Sequence, residues 1–233
     1  MDLIESGLAN PIQHWYYWHK FKAILTLIVD DLPRSNYLVD VGAGSALFSL
    51  ELLKNYSNLV VVAIDTGYEK DIEHSKTNRI SYRRDGLGVV GDIYLFTDIL
   101  EHLPNDIEVL KDYVNLAPIG AKFVVTVPAF MSLFSGHDIY LKHFRRYRKK
   151  QIEFVLQSAG LCIKKSQYLY SLLFPLAWIM RKLPSSRDVA SQMKDHGVFI
   201  NIFLRWILQL DFNLLSKAPF GISIIALAEK ISD

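Results

Sequence analysis

Tyr37-Leu38-Val39-Asp40-Val41-Gly42-Ala43-Gly44-Ser45-Ala46 reads as a strand that turns sharply into a helix. The residues up to Val41 suit an extended, largely buried strand. Two glycines follow, and glycine tolerates positive φ and lets the backbone approach a ligand that a Cβ would block. Leu47 to Lys54 continues as a helix-like segment, so unpaired N–H groups of a helix start stand beside the turn. Leu59 to Ile64 is a second strand ending in Asp65, close to where an acidic residue takes ribose hydroxyls in βαβ nucleotide sites. The pattern predicts a parallel α/β sheet whose first turn binds a nucleoside.

The details choose between nucleosides. A dinucleotide turn wants Gly or Ala at its sixth position for close helix–strand packing; that position is Leu47, which argues against NAD or FAD. Asp40 stands two residues before Gly42, where a dinucleotide fold carries an apolar residue. A carboxylate there holds the turn's amides and faces a cationic amino group. This stretch resembles the first motif of the class I S-adenosylmethionine-dependent methyltransferases, acidic-x-Gly-x-Gly-x-Gly, with Ala46 in place of the third glycine.

Composition sets the frame. The 233 residues suit one α/β domain with an added element, and a net charge of +2 does not by itself point to nucleic acid. Apolar residues make up 51% and mean hydropathy is positive, at +0.17. The single Cys162 has no internal partner and reads as a buried thiol, compatible with a reducing compartment. The start, Met1-Asp2-Leu3-Ile4-Glu5, lacks a basic region and an apolar core, so no signal peptide is expected. A cytoplasmic protein is expected, with a peripheral place at the inner face of a membrane as its variant.

Working outward, strands are expected at Arg79 to Arg84, Asp92 to Thr97, Lys122 to Val127, Leu161 to Tyr168 and Gly221 to Lys230. Helices are expected at His14 to Val29, Asn105 to Leu116 and Lys149 to Ala159. This alternation predicts a Rossmann-like, seven-stranded, mostly parallel sheet with helices on both faces. The ligand crevice belongs at the C-terminal ends of the first and fourth strands, where strand order reverses. Residues 1–233 read as a single domain, with 1–32 as an N-terminal helical lid and 169–219 as an apolar helical insertion before the last strand.

The resemblance to the methyltransferases covers about Pro11 to Lys165 and the final strand, and it implies S-adenosyl-L-methionine as cofactor. It places Gly42 and Gly44 against the methionine part, Asp65 on the ribose hydroxyls and Asp85 on the adenine amino group. Phe96 would offer its carbonyl to the methionine amino group. The loop Gly86 to Gly91 is shorter than usual for the family. Thr97-Asp98-Ile99-Leu100-Glu101-His102 resembles the family's D-x-L-E-H motif; as a helix it would carry Asp98, Glu101 and His102 on one face. His137-Asp138-Ile139-Tyr140-Leu141-Lys142-His143-Phe144-Arg145-Arg146-Tyr147 resembles the H-x-R-R-Y stretch of a subset of these enzymes, a region that faces the acceptor.

His102 and His143 are therefore candidate general bases, with His102 alternatively shaping the pocket. Tyr16, within the aromatic cluster His14 to His19, along with His137, Arg145, Arg146 and Tyr147, are candidate acceptor contacts. Arginine pairs bidentately with phosphate or carboxylate, so a phosphorylated acceptor suits Arg145 and Arg146. His137, Asp138 and His143 match no firm zinc spacing, and no metal is expected. No basic stripe extends beyond this loop, so no nucleic-acid partner is expected.

The insertion is read physically. Ser166 to Met180 has no charged residue, and Phe199 to Leu215 is interrupted only by Arg205 and Asp211. Each run falls short of the roughly 20 residues a spanning helix needs. Trp178 and Trp206 with nearby Arg181, Lys182 and Arg205 suit helices lying in a headgroup plane; a helical cap or a dimer interface is the alternative. The expected function is in-line methyl transfer to a small, phosphorylated or lipid-linked acceptor. A catalytically inactive membrane-associated adaptor of the same fold is the competing class.

Overall fold

The computed structural model describes residues 10–74, 78–86, 88–183, 188–189, 197–215 and 217–232. The start at Met1 to Glu5, Leu87 of the short loop and parts of the insertion lie outside the described residues. Seven strands form one sheet: β1 (Tyr37–Val41), β2 (Val60–Ile64), β3 (Ile80–Arg83), β4 (Ile93–Thr97), β5 (Lys122–Pro128), β6 (Cys162–Leu169) and β7 (Ser223–Glu229). Their spatial order is β3-β2-β1-β4-β5-β7-β6. The first five are mutually parallel, while β7 runs antiparallel to both β5 and β6. Strand order reverses between β1 and β4, whose register pairs Asp40 with Leu95 and Val41 with Phe96.

Alternation along the strands builds a core on each side. In β4, Tyr94 and Phe96 enter one cluster, Ile93 and Leu95 the other. The first cluster is covered by α3 (Asp106–Leu116) and by α5 (Lys149–Ser158), which follows the short α4 (Gly136–Tyr140) in the chain, through Leu110, Val114, Ile152, Val155 and Leu156. Tyr94 stacks on Phe123 within it, with ring centroids 4.5 Å apart, worth about 1 kcal/mol beyond area burial. The second is covered by α1 (Trp15–Ile28) and α2 (Leu47–Asn55) through Phe21, Ile24, Ile28, Phe48 and Leu52.

The expected helix at His14 to Val29 forms, but Trp18 and Leu25 are only half-buried; Tyr17, Phe21 and Ile24 fill the core instead. Between β6 and β7 lie α6 (Phe174–Met180) and α7 (Val198–Leu214). Cys162, expected to be buried, is half-exposed at the first position of β6.

Candidate active site

A cavity of about 640 Å³ opens at the C-terminal ends of β1, β2, β4 and β5. Gly42, Asp65, Thr66 and Phe48 line one end; Glu101, His102, His137, His143, Arg146 and Arg181 line the other. Trp15, Tyr16 and Tyr17 of α1 line it as well, and Tyr16 stacks on Tyr170 at 5.1 Å.

The turn after β1 is built for positive φ: Gly42 at 68°, Gly44 at 53° and Ala46 at 52°. Glycine at 42 has a second reason beyond ligand approach, since a Cβ there would lie 2.5 Å from the Ile99 side chain. Asp65 braces the turn: one carboxylate oxygen accepts from Gly44 N and the other from Gly67 N, each at 2.8 Å. Each oxygen has a further lone pair, so the carboxylate that lines the cavity retains capacity for two hydroxyl donors.

Asp40 lies on the α2 side of the sheet, where Ser49 Oγ donates to it at 2.5 Å. Its other oxygen is buried without a hydrogen-bond partner. Burial raises its pKa to about 6, against the pull of Ser49. Asp85 sits in a neighbouring hollow with Glu69, Lys70, Asp71 and Arg84, and Thr66 is common to both hollows. Phe96 is fully buried inside the sheet between Val41 and Val125.

The Thr97–His102 stretch is not the helix that would carry Asp98, Glu101 and His102 on one face. Asp98 takes φ 53°, and only a 3-10 turn, Leu100–His102, follows. Asp98 pairs instead with Lys20 of α1 and accepts from Thr126 Oγ1 at 3.0 Å. Lys20 is fully buried and also donates to Tyr16 Oη at 2.8 Å. Glu101 is fully buried, faces the cavity and has no hydrogen-bond partner on either carboxylate oxygen. Burial, then Asp98, pushes its pKa well above the usual carboxylate range.

The acceptor-side stretch divides by alternation. Ala129 bridges Tyr147 in parallel, so the chain around Tyr147 is extended and successive side chains point opposite ways. Arg145 and Tyr147 both turn to Asp106, at 3.3 and 2.7 Å, and do not line the cavity. Arg146 turns inward to a bidentate contact with Asp138, Nε to Oδ1 at 2.7 Å and Nη2 to Oδ2 at 3.0 Å. Asp138 also holds His143 Nδ1 at 2.9 Å and accepts from Ser135 N at 2.9 Å.

Arg181 of the insertion, read from the sequence as a headgroup-plane residue, instead lines the cavity and donates to Ser135 Oγ at 2.6 Å. Lys20 is the cation that sequence reading missed, although a lone cation on an apolar helix face is a readable signal. Asp98, Lys142 and Tyr170, all cavity residues, share positive φ values of 53°, 60° and 61°. Such strained positions persist where surrounding structure over-determines them, and they cluster at functional sites.

No protein-family model matches the sequence, and no curated protein matches it either. Solved structures do match. A sarcosine dimethylglycine methyltransferase homologue from Galdieria sulphuraria, described as putative, aligns at TM-score 0.56 and 12% identity, covering 92% of this chain and 85% of that one. An S-adenosylmethionine-dependent methyltransferase from Archaeoglobus fulgidus aligns at TM-score 0.53 and 16% identity, covering 93% and 99%. The [4+2]-cyclase SpnF aligns at TM-score 0.56 and 12% identity, covering 92% and 80%. Against two larger methyltransferases the chain spans 51% and 55% of their length. The chain thus has the Rossmann-like fold of the S-adenosylmethionine-dependent methyltransferases, a fold that SpnF shows is also used by a cyclase.

Proposed function

We propose that this chain is an S-adenosylmethionine-dependent methyltransferase acting on a small, lipid-linked or phosphorylated acceptor. The observation that carries the reading is Asp65: a carboxylate at the end of β2, locked by two turn amides, lining the cavity with acceptor capacity to spare. Asp40 is buried and does not line the cavity, but one of its oxygens has no hydrogen-bond partner, and a cationic amino group beside the turn would bring one. Bound, the cofactor supplies an electrophilic methyl group on a sulfonium. The chain's own residues then orient and desolvate: Asp65 and the Gly42–Gly44 turn hold one end, and Tyr16, His102, His137, His143 and Arg181 surround the other.

Calorimetry tests this directly. Wild-type protein is expected to bind S-adenosylmethionine saturably, and Asp65→Ala to lose about 100-fold or more, since two hydrogen bonds to a charged group contribute about 3 kcal/mol or more together. Asp65→Asn keeps an acceptor for only one of the two turn amides, so thermal unfolding of both variants is what separates lost binding from a disordered turn. Folded wild-type protein that binds neither the cofactor nor its demethylated product would overturn the assignment.

The lipid-linked clause draws on α6 and α7. Phe199, Ile202, Phe203, Trp206 and Leu210 follow helical spacing and point outward, with Phe199 89% and Trp206 64% exposed. The opposite side of α7 meets α1, with Trp15 N donating to Asn201 Oδ1 at 3.0 Å and Arg205 donating to Gln13 O. Ala177 of α6 and Arg181 just after it line the cavity, while Leu176, Ile179 and Met180 face out. Lys182 lies 3.4 Å over the Trp178 ring. No described helix is long and apolar enough to cross a membrane, so the outward stripe suits a helix lying in an interface. Wild-type protein is expected to float with anionic liposomes and Phe203→Glu/Trp206→Glu to stay in the dense fractions. Wild-type protein that ignores lipid would assign the stripe to a protein partner.

A further inference from the structure

We infer that Glu101, His102 and His143 form a binding site for one divalent transition-metal ion at the acceptor end of the cavity. Their ligand atoms all lie within 4.8 Å of one another. Two connections bring the segments together: Phe144 N donates to Glu101 O at 2.8 Å, and the His102 and His143 rings meet edge to face with centroids 4.6 Å apart. The His137, Asp138 and His143 set considered from sequence spacing is not the one assembled; Asp138 serves behind the ligands.

Three independent features point to an ion. First, both carboxylate oxygens of Glu101 are buried, aimed into the cavity and without a hydrogen-bond partner. A buried carboxylate is costly unless paired or bound to a metal. Second, Asp138 Oδ1 holds His143 Nδ1, which leaves Nε2 for an ion. A carboxylate behind a metal-binding imidazole fixes its orientation and raises its basicity, and Arg146 fixes Asp138 in turn. Third, all three side chains line the cavity, so coordination positions remain open towards it.

Two imidazoles and one carboxylate favour zinc, iron or a similar ion over magnesium or calcium, which take oxygen-only sets. Open positions beside the ligands accept an oxygen donor. Resting on the methyltransferase reading, this assigns the acceptor to the hydroxyl-bearing class: on the ion its oxygen would release its proton to solvent and then take the methyl group, with the thioether leaving. The two histidines would then act as ligands rather than as bases.

The test is a titration of metal-free wild-type protein with Zn²⁺ against a chromophoric chelator, and with Co²⁺ read by its visible absorption. One equivalent is expected to bind. Glu101→Ala and His143→Ala should each lose about 100-fold or more in affinity, since loss of an outer partner alone costs roughly 10–100-fold. His137→Ala, which alters the same cavity outside the cluster, should bind as wild type. Circular dichroism and S-adenosylmethionine binding report whether each variant is folded. Failure of folded wild-type protein to take up Zn²⁺, or uptake unchanged in both ligand variants, overturns the site. Cofactor binding without metal uptake would leave the methyltransferase reading standing alone; metal uptake without cofactor binding would do the reverse.

Discussion

Lys20→Met is expected to lower the free energy of unfolding by about 3 kcal/mol, near the lower end of what breaking a buried ion pair costs. Lys20 is fully buried in the face that α1 lays on the sheet, and its ammonium donates to the Asp98 carboxylate and to Tyr16 Oη while lying 4.5 Å from the centroid of the Tyr16 ring. Burial alone would lower the lysine pKa, but the Asp98 carboxylate and Tyr16 outweigh it and hold the group above its ordinary value. For Asp98, burial pushes up and Lys20 pulls further down, so its pKa ends low. The pair's contribution is therefore complete between about pH 4 and 10, lost on acidification through the folded pKa of Asp98 and on alkalinisation through that of Lys20. Asp98 keeps 33% of its side chain exposed, so water compensates part of the loss and the cost falls near the lower end. Urea unfolding of Lys20→Met, Asp98→Asn and the double variant checks it. The double variant should lose clearly less than the two singles together. Simple additivity would mean that the two side chains do not stabilise one another.

Asp138→Asn is expected to cost about 3–5 kcal/mol, because it leaves the Arg146 guanidinium buried without its counter-ion. Both carboxylate oxygens are engaged, by Arg146, His143 and Ser135. Burial by itself would raise the Asp138 pKa; the His143 hydrogen bond and the Arg146 charge reverse that and hold the carboxyl well below the usual range. A depressed carboxylate pKa contributes stability that is present above the unfolded value, about 3.9, and is lost as pH falls through the folded one. Wild-type stability should therefore drop steeply on acidification below about pH 4, and Asp138→Asn should flatten that slope. Denaturation midpoints measured from pH 7 down to acid read both effects. A variant with wild-type stability at neutral pH would mean that water already satisfies Arg146.

The sheet and its crevice were legible along the chain because they arise from local signals. Strand periodicity, the Gly42–Gly44 turn and Asp65 at a strand end each sit within a few residues of what they organise. The turn takes the positive φ its glycines allow, but Asp65 rather than Asp40 holds the Gly44 amide, and Ile99, far away in sequence, also requires glycine at 42. The acceptor side was less legible. The motif left the conformation of Asp98 open; the residue is left-handed, outside any helix, and paired with a buried lysine from α1.

From sequence alone came the order of strands and helices, the turn and the carboxylate that closes it, since hydrophobic period and turn chemistry act over short range. Only the folded chain decided which neighbours of the motif face inward. Arg145 and Arg146 are adjacent and chemically identical, but an extended backbone sends one to Asp106 outside the cavity and the other to Asp138 within. The meeting of Glu101 with His143, and of Lys20 with Asp98, depends on contacts between distant segments that no local pattern encodes.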